Sequence, residues 1–324
     1  MLGTEKLTEV IEKHIRQLEF KNPPAELYNP ITYTLNSNGK RIRPVLTLLA
    51  CQMFSENIDK AILPAIGLEV FHNFTLLHDD IMDNAPVRRG LPTVHEKWDA
   101  NTAILSGDTM MIEAYKLVCT APDYCLRSTL QLFSKTASEV CEGQMFDMQF
   151  ESKTNVSEAE YIEMIRLKTS VLLAASLKIG AIIANAPQKY ADLLYEFGIN
   201  LGLAFQLKDD WLDVYSNPKV FGKKTGGDIV VNKKTYLLIK AFEKAENNTK
   251  ESLSYWINKT GFNEDEKIAS VKKIYNELNI SEITLKKAEY YSQKAFDCLN
   301  KIEVSNSKKQ QLLELTNNLL KREK

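Results

Sequence analysis

Two short acidic runs, each embedded in an apolar stretch, constrain this chain more than any other feature of its sequence. In each run the first and last Asp are four residues apart, so that they lie on one face of an α-helix. Like charges this close repel one another, and they are stable among apolar residues only when cations neutralise them. The runs therefore predict two helix ends that bind cations. Their members are Asp79, Asp80 and Asp83 in HDDIMD, and Asp209, Asp210 and Asp213 in KDDWLD.

The simplest ligand for such runs is a diphosphate held through Mg²⁺. Carboxylate oxygens are hard ligands, and Mg²⁺ typically takes one or two of them, keeps several waters and completes its shell with phosphate oxygens. The alternative is a solvated helix face without a ligand. The neighbours of the runs disfavour that alternative, because a solvated face is polar along its length. These apolar neighbours include Phe74, Leu77, Leu207 and Trp211.

Helical periodicity dominates the rest of the chain. With 13 Gly and 10 Pro in 324 residues the chain is poor in helix breakers, and alternating strand patterns are almost absent. A first helix ends before Pro23-Pro24, a loop follows, and Pro44 opens the next helix. The pattern predicts an all-α bundle and one domain over residues 1–324, with accessory helices from about residue 240 and acidic helix ends that face a cavity. Further helices are predicted at about 62–83, 100–120, 127–150, 158–184 and 189–215.

Charge and cysteine content disfavour several functions. A formal net charge of −1 argues against general binding to nucleic acid or to an anionic membrane. The five cysteines form no Cys-x-x-Cys pair and their number is odd, which disfavours a disulfide framework and predicts thiols in the cytoplasm. The segment MLGTEKLTEVIEKHIRQLEF carries charges throughout, so neither a signal peptide nor a membrane span is predicted there. No apolar run elsewhere approaches the roughly 20 residues that a membrane span needs.

Three basic motifs accompany the acidic runs. GKRIRP, from Gly39 to Pro44, is a turn that feeds a helix amino terminus, where backbone N–H groups and basic side chains can bind phosphate. RRG follows the first acidic run, and GKKTGGD follows the second. Alone, each motif fits a solvated surface patch, but the positions beside the acidic runs favour anion binding. Mg²⁺ can hold one diphosphate, whereas a second, metal-free diphosphate needs Arg and Lys.

The order of these motifs resembles that of the trans-type isoprenyl diphosphate synthases, the polyprenyl synthetase family. The resemblance covers about residues 35–240 and rests on GKRIRP, HDDIMD, RRGLPT, GQMFD, KTS, FQLKDDWLD and GKKTGGD. It implies an all-α isoprenoid synthase bundle around a deep central cavity, a homodimer and three Mg²⁺ ions. It also implies a reaction in which an allylic diphosphate ionises. The double bond of isopentenyl diphosphate then attacks the cation and gives a trans-prenyl diphosphate five carbons longer.

The resemblance also implies a role for each member of the acidic runs. The Mg²⁺ ions that hold the allylic diphosphate are bound by Asp79, Asp80, Asp83 and Asp209. The second metal motif is completed by Asp210 and Asp213.

Other residues are implied to contact the allylic substrate itself. Thr169 and Gln206 line the reacting carbons, where they face a developing cation. Cleavage of the C–O bond is favoured by positive charge concentrated on the leaving diphosphate, so physical reasoning agrees with these roles. The diphosphate is gripped by Arg88, Lys168, Lys223 and Lys233.

The second substrate, isopentenyl diphosphate, is implied to bind at Lys40, Arg43, His72 and Arg89. His72 lies seven residues before Asp79 on the same helix face, which favours ligand contact over a packed core position. His78 is instead predicted to pack as a core or surface histidine. No protein nucleophile is needed, since the departing diphosphate can accept the proton lost after condensation.

In the same family, side chains one or two turns before the first Asp limit product length. Here Phe74, Thr75 and Phe71 stand five, four and eight residues before Asp79. Five residues of helix rise about 7.5 Å, a suitable depth for a floor below the metal site. Helical-wheel geometry does not decide between Phe74 and Thr75, and the resemblance favours Phe74. A large ring there predicts early termination at C20 or C15, as in geranylgeranyl or farnesyl diphosphate synthases.

Two other functions share part of this pattern. Terpene cyclases also ionise prenyl diphosphates, but they usually carry an Asn/Ser/Glu metal motif in place of the second Asp-rich run and need no isopentenyl diphosphate site. Non-catalytic partner subunits of prenyl synthases lose one or both acidic runs. Because DDWLD and GKRIRP are present and both acidic runs are intact, the sequence favours a catalytic prenyltransferase.

Overall fold

The first six helices lie within residues 4–118, and the fourth of them carries the first acidic run. A two-stranded antiparallel hairpin after the fourth helix pairs β1 (Val87–Arg88) with β2 (Leu91–Pro92). The helices predicted at about 62–83 and 100–120 are confirmed. In this computed structural model, which describes residues 1–216 and 225–321, the first helices are α1 (Thr4–Arg16), α2 (Ala25–Leu35), α3 (Ile42–Gln52), α4 (Asp59–Met82), α5 (Val94–Lys97) and α6 (Ala100–Val118).

The rest of the described chain is also helical. It contains no strand beyond the hairpin, so the all-α prediction is confirmed, and none of its helices is long and apolar enough to span a membrane. A π-helical segment (Arg166–Ser170) joins α8 to α9. The helices are α7 (Asp123–Ser152), α8 (Glu158–Ile165), α9 (Val171–Ile183), α10 (Gln188–Tyr215), the one-turn α11 (Gly227–Val230), α12 (Tyr236–Lys244), α13 (Asn247–Asn258), α14 (Glu264–Glu277), α15 (Ile280–Asn300) and α16 (Asn306–Lys321).

Backbone contacts group the described residues into two units. Unit 1 comprises residues 1–134, 175–194 and 304–312, and unit 2 comprises the described residues of 135–174, 195–303 and 313–324. The first acidic run and the hairpin belong to unit 1, and the second acidic run belongs to unit 2. The prediction of one domain over residues 1–324 stays a prediction.

α4 is the central helix of unit 1. Most of its residues are buried, and many of them are apolar, as in a helix enclosed by neighbours. α6 packs closely on it at Gly67, where an added Cβ would lie 2.9 Å from the backbone oxygen of Ala114. The helix ends at Met82, and the N–H of Asp83 still donates to the backbone oxygen of Asp79 at 2.9 Å. The first acidic run therefore occupies the carboxyl end of α4, as predicted.

α2 lies where the sequence predicts a loop, and that prediction is wrong. Pro30 lies inside this helix and makes the segment resemble a loop in sequence, because proline removes a helical hydrogen bond. Ile31 and Leu35 are buried one turn apart, and their packing stabilises the helix. The Ser106 hydroxyl of α6 donates to the backbone oxygen of Leu27 at 2.9 Å, which fixes α2 against α6.

The end of α10 and the helices after it share one core in unit 2. Val214 of α10 belongs to the same buried cluster as Ile229 of α11 and Tyr275 of α14. The fully buried Lys267 donates from Nζ to the backbone oxygen of Val230 at 3.0 Å, which holds the end of α11 on α14. The carboxyl-terminal helices therefore stabilise the segment that follows the second acidic run.

Candidate active site

Arg88 connects the β hairpin to the end of α4. Its Nε donates to Asp80 Oδ1 at 2.7 Å, and its Nη2 lies 3.5 Å from Asp79 Oδ2. The hairpin turn allows this placement, because Arg89 and Gly90 adopt φ values of 54° and 79°, as a tight turn between twisted strands requires. Burial raises the pKa of Asp80, and the Arg88 guanidinium opposes that shift. The structure thus brings together two members of the first acidic run and an arginine predicted to bind diphosphate.

The donor chemistry of the first run fits Mg²⁺. Three carboxylates lie at the carboxyl end of α4, where the helix dipole is negative, and Arg88 offsets part of their charge. Among the described residues, no group of three His, Cys, Asp or Glu side chains forms a ready-made metal centre. A Mg²⁺ site of this class does not need one, because Mg²⁺ keeps waters and takes phosphate oxygens from its substrate. The run is therefore suited to a cation that arrives with a diphosphate.

The second acidic run lies in the last two turns of α10. Asp213 holds the turn before α11, because its Oδ2 accepts the N–H of Asp228 at 3.1 Å and its backbone oxygen accepts the N–H of Gly226 at 2.7 Å. Gly226 has a φ of 86°, which residues with a side chain rarely adopt. Asp209 is half-buried beside Asp210. The acidic run thus anchors the described end of the third basic motif.

Asp210 is buried and accepts hydrogen bonds on both carboxylate oxygens. Its Oδ2 accepts from the Tyr161 hydroxyl and from the N–H of Tyr236 at 3.3 Å, and its Oδ1 accepts from Gln206 Nε2 at 3.1 Å. Gln206 Oε1 in turn accepts from Thr169 Oγ1 at 3.2 Å. Burial is the largest cause that raises the pKa of Asp210 to about 7. Asp210 is therefore joined to the two residues predicted to line the reacting carbons.

Lys168 and Thr169 lie in the π-helical segment between α8 and α9. Wide turns of this kind are frequent at functional sites. Gly143 of α7 lets the two backbones approach, because an added Cβ would lie 2.3 Å from the backbone nitrogen of Lys168. Lys168 Nζ also pairs with Asp147 Oδ2 of α7 at 2.6 Å. The GQMFD motif therefore supplies both a close contact and a carboxylate partner for Lys168.

We expect Gly143→Ala to lower the free energy of unfolding by about 1–3 kcal/mol, the usual cost of overpacking. The added methyl group would push α7 away from the π-helical segment. Thermal unfolding followed by circular dichroism checks this expectation. Gly3→Ala is the matched control, because its Cβ would meet Gln311 Oε1 at 3.5 Å, an ordinary contact. Equal stability of the two variants would contradict the close approach at Gly143.

Arg43, Arg89 and His72 form a basic cluster around Glu69 in unit 1. Arg43 Nε is buried and has no hydrogen-bond partner among the described residues, whereas Arg89 Nη1 donates to Ser37 Oγ at 3.1 Å. Burial lowers the pKa of Arg43 to about 10, against the opposing effect of Glu69. Burial and the nearby guanidinium groups hold the pKa of His72 well below its usual value, so its imidazole is neutral. A buried guanidinium with an unsatisfied donor beside further cations is suited to bind an anion.

Arg41 has a structural role that the sequence did not indicate. Its guanidinium donates to Glu12 Oε1 at 2.7 Å, to Glu69 Oε1 at 3.0 Å and to the backbone oxygen of Leu35 at 2.5 Å. Its φ of 46° turns the chain just before α3. Arg41 therefore ties α1, α2 and α4 together, while the neighbouring Lys40 is exposed. The GKRIRP motif thus combines an anchor with candidate phosphate ligands.

Phe74 and Phe71 belong to an aromatic cluster in unit 1. The ring centroid of Phe74 lies 5.5 Å from that of Phe71 and 4.8 Å from that of His78. Phe71 contacts Phe133 edge-on, with centroids 5.3 Å apart. Thr75 is half-buried, and its hydroxyl donates to a backbone oxygen of its own helix at 2.8 Å. Two rings in series therefore precede the first acidic run on α4.

Comparison with known proteins connects these features to a protein family. The family model described as polyprenyl synthetase matches residues 24–278. The chain belongs to the polyprenyl synthetase family. A geranylgeranyl diphosphate synthase of Methanosarcina mazei is 43% identical to it over 223 residues, which cover 68% of this chain and 69% of that protein. A geranylfarnesyl diphosphate synthase of Aeropyrum pernix is 34% identical over 299 residues, which cover 90% of this chain and 92% of that protein.

A solved structure shares the fold of this chain. The crystal structure of a geranylgeranyl pyrophosphate synthase matches it with a TM-score of 0.94 at 43% identity, and the match covers 99% of each chain. The predicted family is therefore confirmed. The roles of individual site residues stay predictions.

Two of the predicted diphosphate ligands lie in or just after the third basic motif. Lys223 lies outside the described residues, as do Gly222 and Lys224 on either side of it. Lys233 is among the described residues, and its backbone N–H donates to the backbone oxygen of Asp228 at 2.9 Å. Burial raises the pKa of Asp228 to about 6, and the Lys233 ammonium opposes that shift. Lys233 therefore lies close to the turn that Asp213 anchors.

Sequence analysis assigned no role to three residues that lie among the predicted site residues in the structure. Asp147 appears in GQMFD, but nothing in the sequence names Lys168 as its partner. The sequence does contain a signal for Glu69, because it is a carboxylate within an otherwise apolar helix segment. Tyr161 carries no sequence signal, because its contact with Asp210 depends on tertiary packing.

Proposed function

We propose that this chain is a Mg²⁺-dependent trans-prenyltransferase, which condenses isopentenyl diphosphate with an allylic diphosphate and gives a C20 or C15 prenyl diphosphate. The observation that carries the proposal is the pair of intact acidic runs at the carboxyl ends of α4 and α10 in a member of the polyprenyl synthetase family. The names of the relatives, geranylgeranyl and geranylfarnesyl diphosphate synthase, support a short-chain product.

The allylic substrate binds through its diphosphate. Bound Mg²⁺, three ions by family resemblance, supplies electrostatic stabilisation of the leaving group. Arg88 and Lys168 already pair with carboxylates at 2.7 and 2.6 Å, so each is held in place before substrate arrives. The ion ligands that we propose are Asp79, Asp80, Asp83 and Asp209, and the proposed diphosphate contacts are Arg88, Lys168, Lys223 and Lys233.

The reaction replaces one bond by another and releases a proton. The bond between C1 of the allylic chain and its diphosphate oxygen breaks, and both electrons leave with the diphosphate. The double bond of isopentenyl diphosphate then forms a new C–C bond to C1. Thr169 and Gln206 present oxygens that can stabilise the allylic cation between these steps. Loss of a proton to the released diphosphate restores a double bond.

Isopentenyl diphosphate binds at the basic cluster of unit 1, through Lys40, Arg43, His72 and Arg89. The unsatisfied Nε of Arg43 supports this assignment, since a bound phosphate would supply the missing acceptor. The neutral His72 fits the same site, because it can donate one hydrogen bond without adding another charge to the cluster.

We expect Arg43→Met to raise the KM for isopentenyl diphosphate by about 10-fold or more, because a charge-assisted hydrogen bond contributes roughly 1.5–3 kcal/mol. The KM for the allylic substrate should change much less. Steady-state kinetics with each substrate varied in turn checks this difference. Arg127→Met is the control, since Arg127 is an exposed arginine of α7. Equal increases in both KM values would contradict a separate site for isopentenyl diphosphate.

Product analysis tests the proposed function directly. Purified protein is incubated with Mg²⁺, isopentenyl diphosphate and, in turn, dimethylallyl, geranyl or farnesyl diphosphate, and the chain length of the products is measured. A C20 or C15 product supports the proposal. Folded protein that gives no product from any starter overturns it in favour of a partner-dependent subunit, and a cyclic hydrocarbon overturns it in favour of a terpene cyclase.

We propose that the protein forms a homodimer through an exposed apolar face of α6. We also propose that the protein is located in the cytoplasm. We expect Ile112→Asp to convert the dimer to a monomer, because a charge in an apolar interface loses its hydration. Light scattering coupled to size-exclusion chromatography measures the mass. Tyr255→Asp of α13 is the control, and a dimeric Ile112→Asp would contradict the α6 interface. The large apolar residues that are exposed on α6 are Ile104, Leu105, Met111 and Ile112.

A further inference from the structure

A line of hydrogen bonds within unit 2 joins Tyr161 to Thr169. The Tyr161 hydroxyl donates to Asp210 Oδ2, Gln206 Nε2 donates to Asp210 Oδ1 at 3.1 Å, and Thr169 Oγ1 donates to Gln206 Oε1 at 3.2 Å. Tyr161 is 2% exposed and Asp210 is 5% exposed, so water does not compete freely for these bonds. The line ends at the two residues to which the proposed function gives contact with the reacting carbons.

The line fixes the direction of each group in it. The Gln206 amide turns its NH₂ towards Asp210 and its oxygen towards Thr169, which is the orientation that an ionised carboxylate, an acceptor only, requires. The Thr169 hydroxyl then uses its hydrogen on Gln206 Oε1, and its lone pairs are left for another partner. Without Asp210, the amide could rotate by half a turn and present its NH₂ instead. An NH₂ group would repel a developing cation, whereas Gln206 Oε1 and the Thr169 hydroxyl oxygen stabilise it.

Two elements hold Asp210 in this orientation. Tyr161 of α8 and the backbone N–H of Tyr236 at the start of α12 both donate to Oδ2. The two tyrosine rings also lie near each other, with centroids 6.3 Å apart. The side chain is therefore oriented by α8 and α12 as well as by Gln206.

We propose that Tyr161 and Asp210 are positioning residues, which fix the dipole of the Gln206 amide and, through it, the Thr169 hydroxyl so that both oxygens face the allylic cation. This inference rests on the proposed function. It assigns Asp210 a role different from that of Asp209 beside it, although both belong to the same acidic run.

Kinetics of conservative variants test the positioning role. Tyr161→Phe should lower kcat about 10-fold and Asp210→Asn about 100-fold, because only the second allows the amide to rotate freely. The KM values and the Mg²⁺ concentration for half-maximal activity should stay within about twofold. The effects of Tyr161→Phe and Thr169→Val should be strongly non-additive in a double-mutant cycle, since the two residues act through one line. Tyr215→Phe, which removes a hydroxyl bonded to Asn276 at 3.0 Å elsewhere in unit 2, is the control.

A metal-binding measurement separates positioning from ligation. Mn²⁺ binding in the presence of inorganic pyrophosphate, followed by electron paramagnetic resonance, should be unchanged in Asp210→Asn and weakened at least about 10-fold in Asp209→Asn. Unchanged kcat in Tyr161→Phe, or weakened Mn²⁺ binding in Asp210→Asn, would overturn the inference. A wild-type protein without activity would instead overturn the proposed function, and the comparison of the two Asn variants would still test the role of Asp210.

Discussion

Asp79→Asn should lower kcat by about 100-fold or more, and Asp209→Asn should do the same, while both proteins stay folded. Asn keeps the shape of the side chain but removes the negative charge that binds a divalent cation. Asp79 lies at the negative end of the α4 dipole next to two further carboxylates. The loss of one charge there relieves repulsion of roughly 0.3–1 kcal/mol, so the free energy of unfolding should be unchanged or slightly higher.

Steady-state kinetics, Mn²⁺ binding and thermal unfolding together check this expectation. Asp297→Asn is the matched control, because Asp297 is an exposed carboxylate of α15 that accepts a surface hydrogen bond from Gln293. Its kcat and metal affinity should equal those of the wild type. If Asp79→Asn or Asp209→Asn kept near-normal turnover, the metal role of that run would be wrong. A lower kcat with a matching loss of helix content would indicate misfolding instead of lost metal binding.

The helices of this chain could largely be predicted from its sequence. Apolar residues of α4 recur at steps of three or four residues over about four turns, a pattern that is typical of a helix and not of a strand. They are Ile66, Val70, Phe74, Leu77 and Ile81. α2 was missed because Pro30 lies within it and because its stability depends on burial of Ile31 and Leu35. The π-helical segment was absorbed into one predicted helix at about 158–184, and its close approach to Gly143 of another helix is a tertiary contact that no local pattern encodes.

The residues that we predict for the site come from local motifs, but the contacts between them do not. The acidic runs and basic motifs could be recognised because they are short and continuous. Asp80 pairs with Arg88 eight positions away, whereas Tyr161 bonds to Asp210 across 49 positions. A contact of the second kind exists only after α8 and α10 have packed, so no local pattern encodes it. Asp209 and Asp210 point about 100° apart because they are adjacent on a helix, and the packing of other helices decides what each of them contacts.

We propose that the aromatic cluster in unit 1 limits product length. Phe74 is 7% exposed, and its ring lies on the α4 turn before the first acidic run. Phe71 is fully buried one turn earlier and is supported by Phe133. A growing prenyl chain that passes Phe74 would therefore meet the ring of Phe71, which packs against Phe133. This arrangement predicts a stepwise floor, with Phe74 as the first step and Phe71 as the next.

We expect Phe74→Ala to lengthen the main product by one or two five-carbon units, and Phe71→Ala alone to leave product length unchanged while Phe74 remains. The double variant should extend the product further than either single change. Removal of a buried ring costs about 3–5 kcal/mol, so Phe74→Leu provides a milder version in which the shift should be smaller but in the same direction. Chain-length analysis of products from a fixed starter and isopentenyl diphosphate measures the effect.

Two further variants serve as controls for the effect of Phe74 on product length. Phe197→Leu removes a fully buried ring from α10 in unit 2, and it should lower stability without any change in product length. Thr75→Ala removes a hydroxyl that is already bonded to its own helix, and it should also leave the product unchanged. If Thr75→Ala lengthened the product and Phe74→Ala did not, the floor would lie at Thr75. A longer product from Phe197→Leu would show instead that general loosening of the helices, not the ring of Phe74, sets the length.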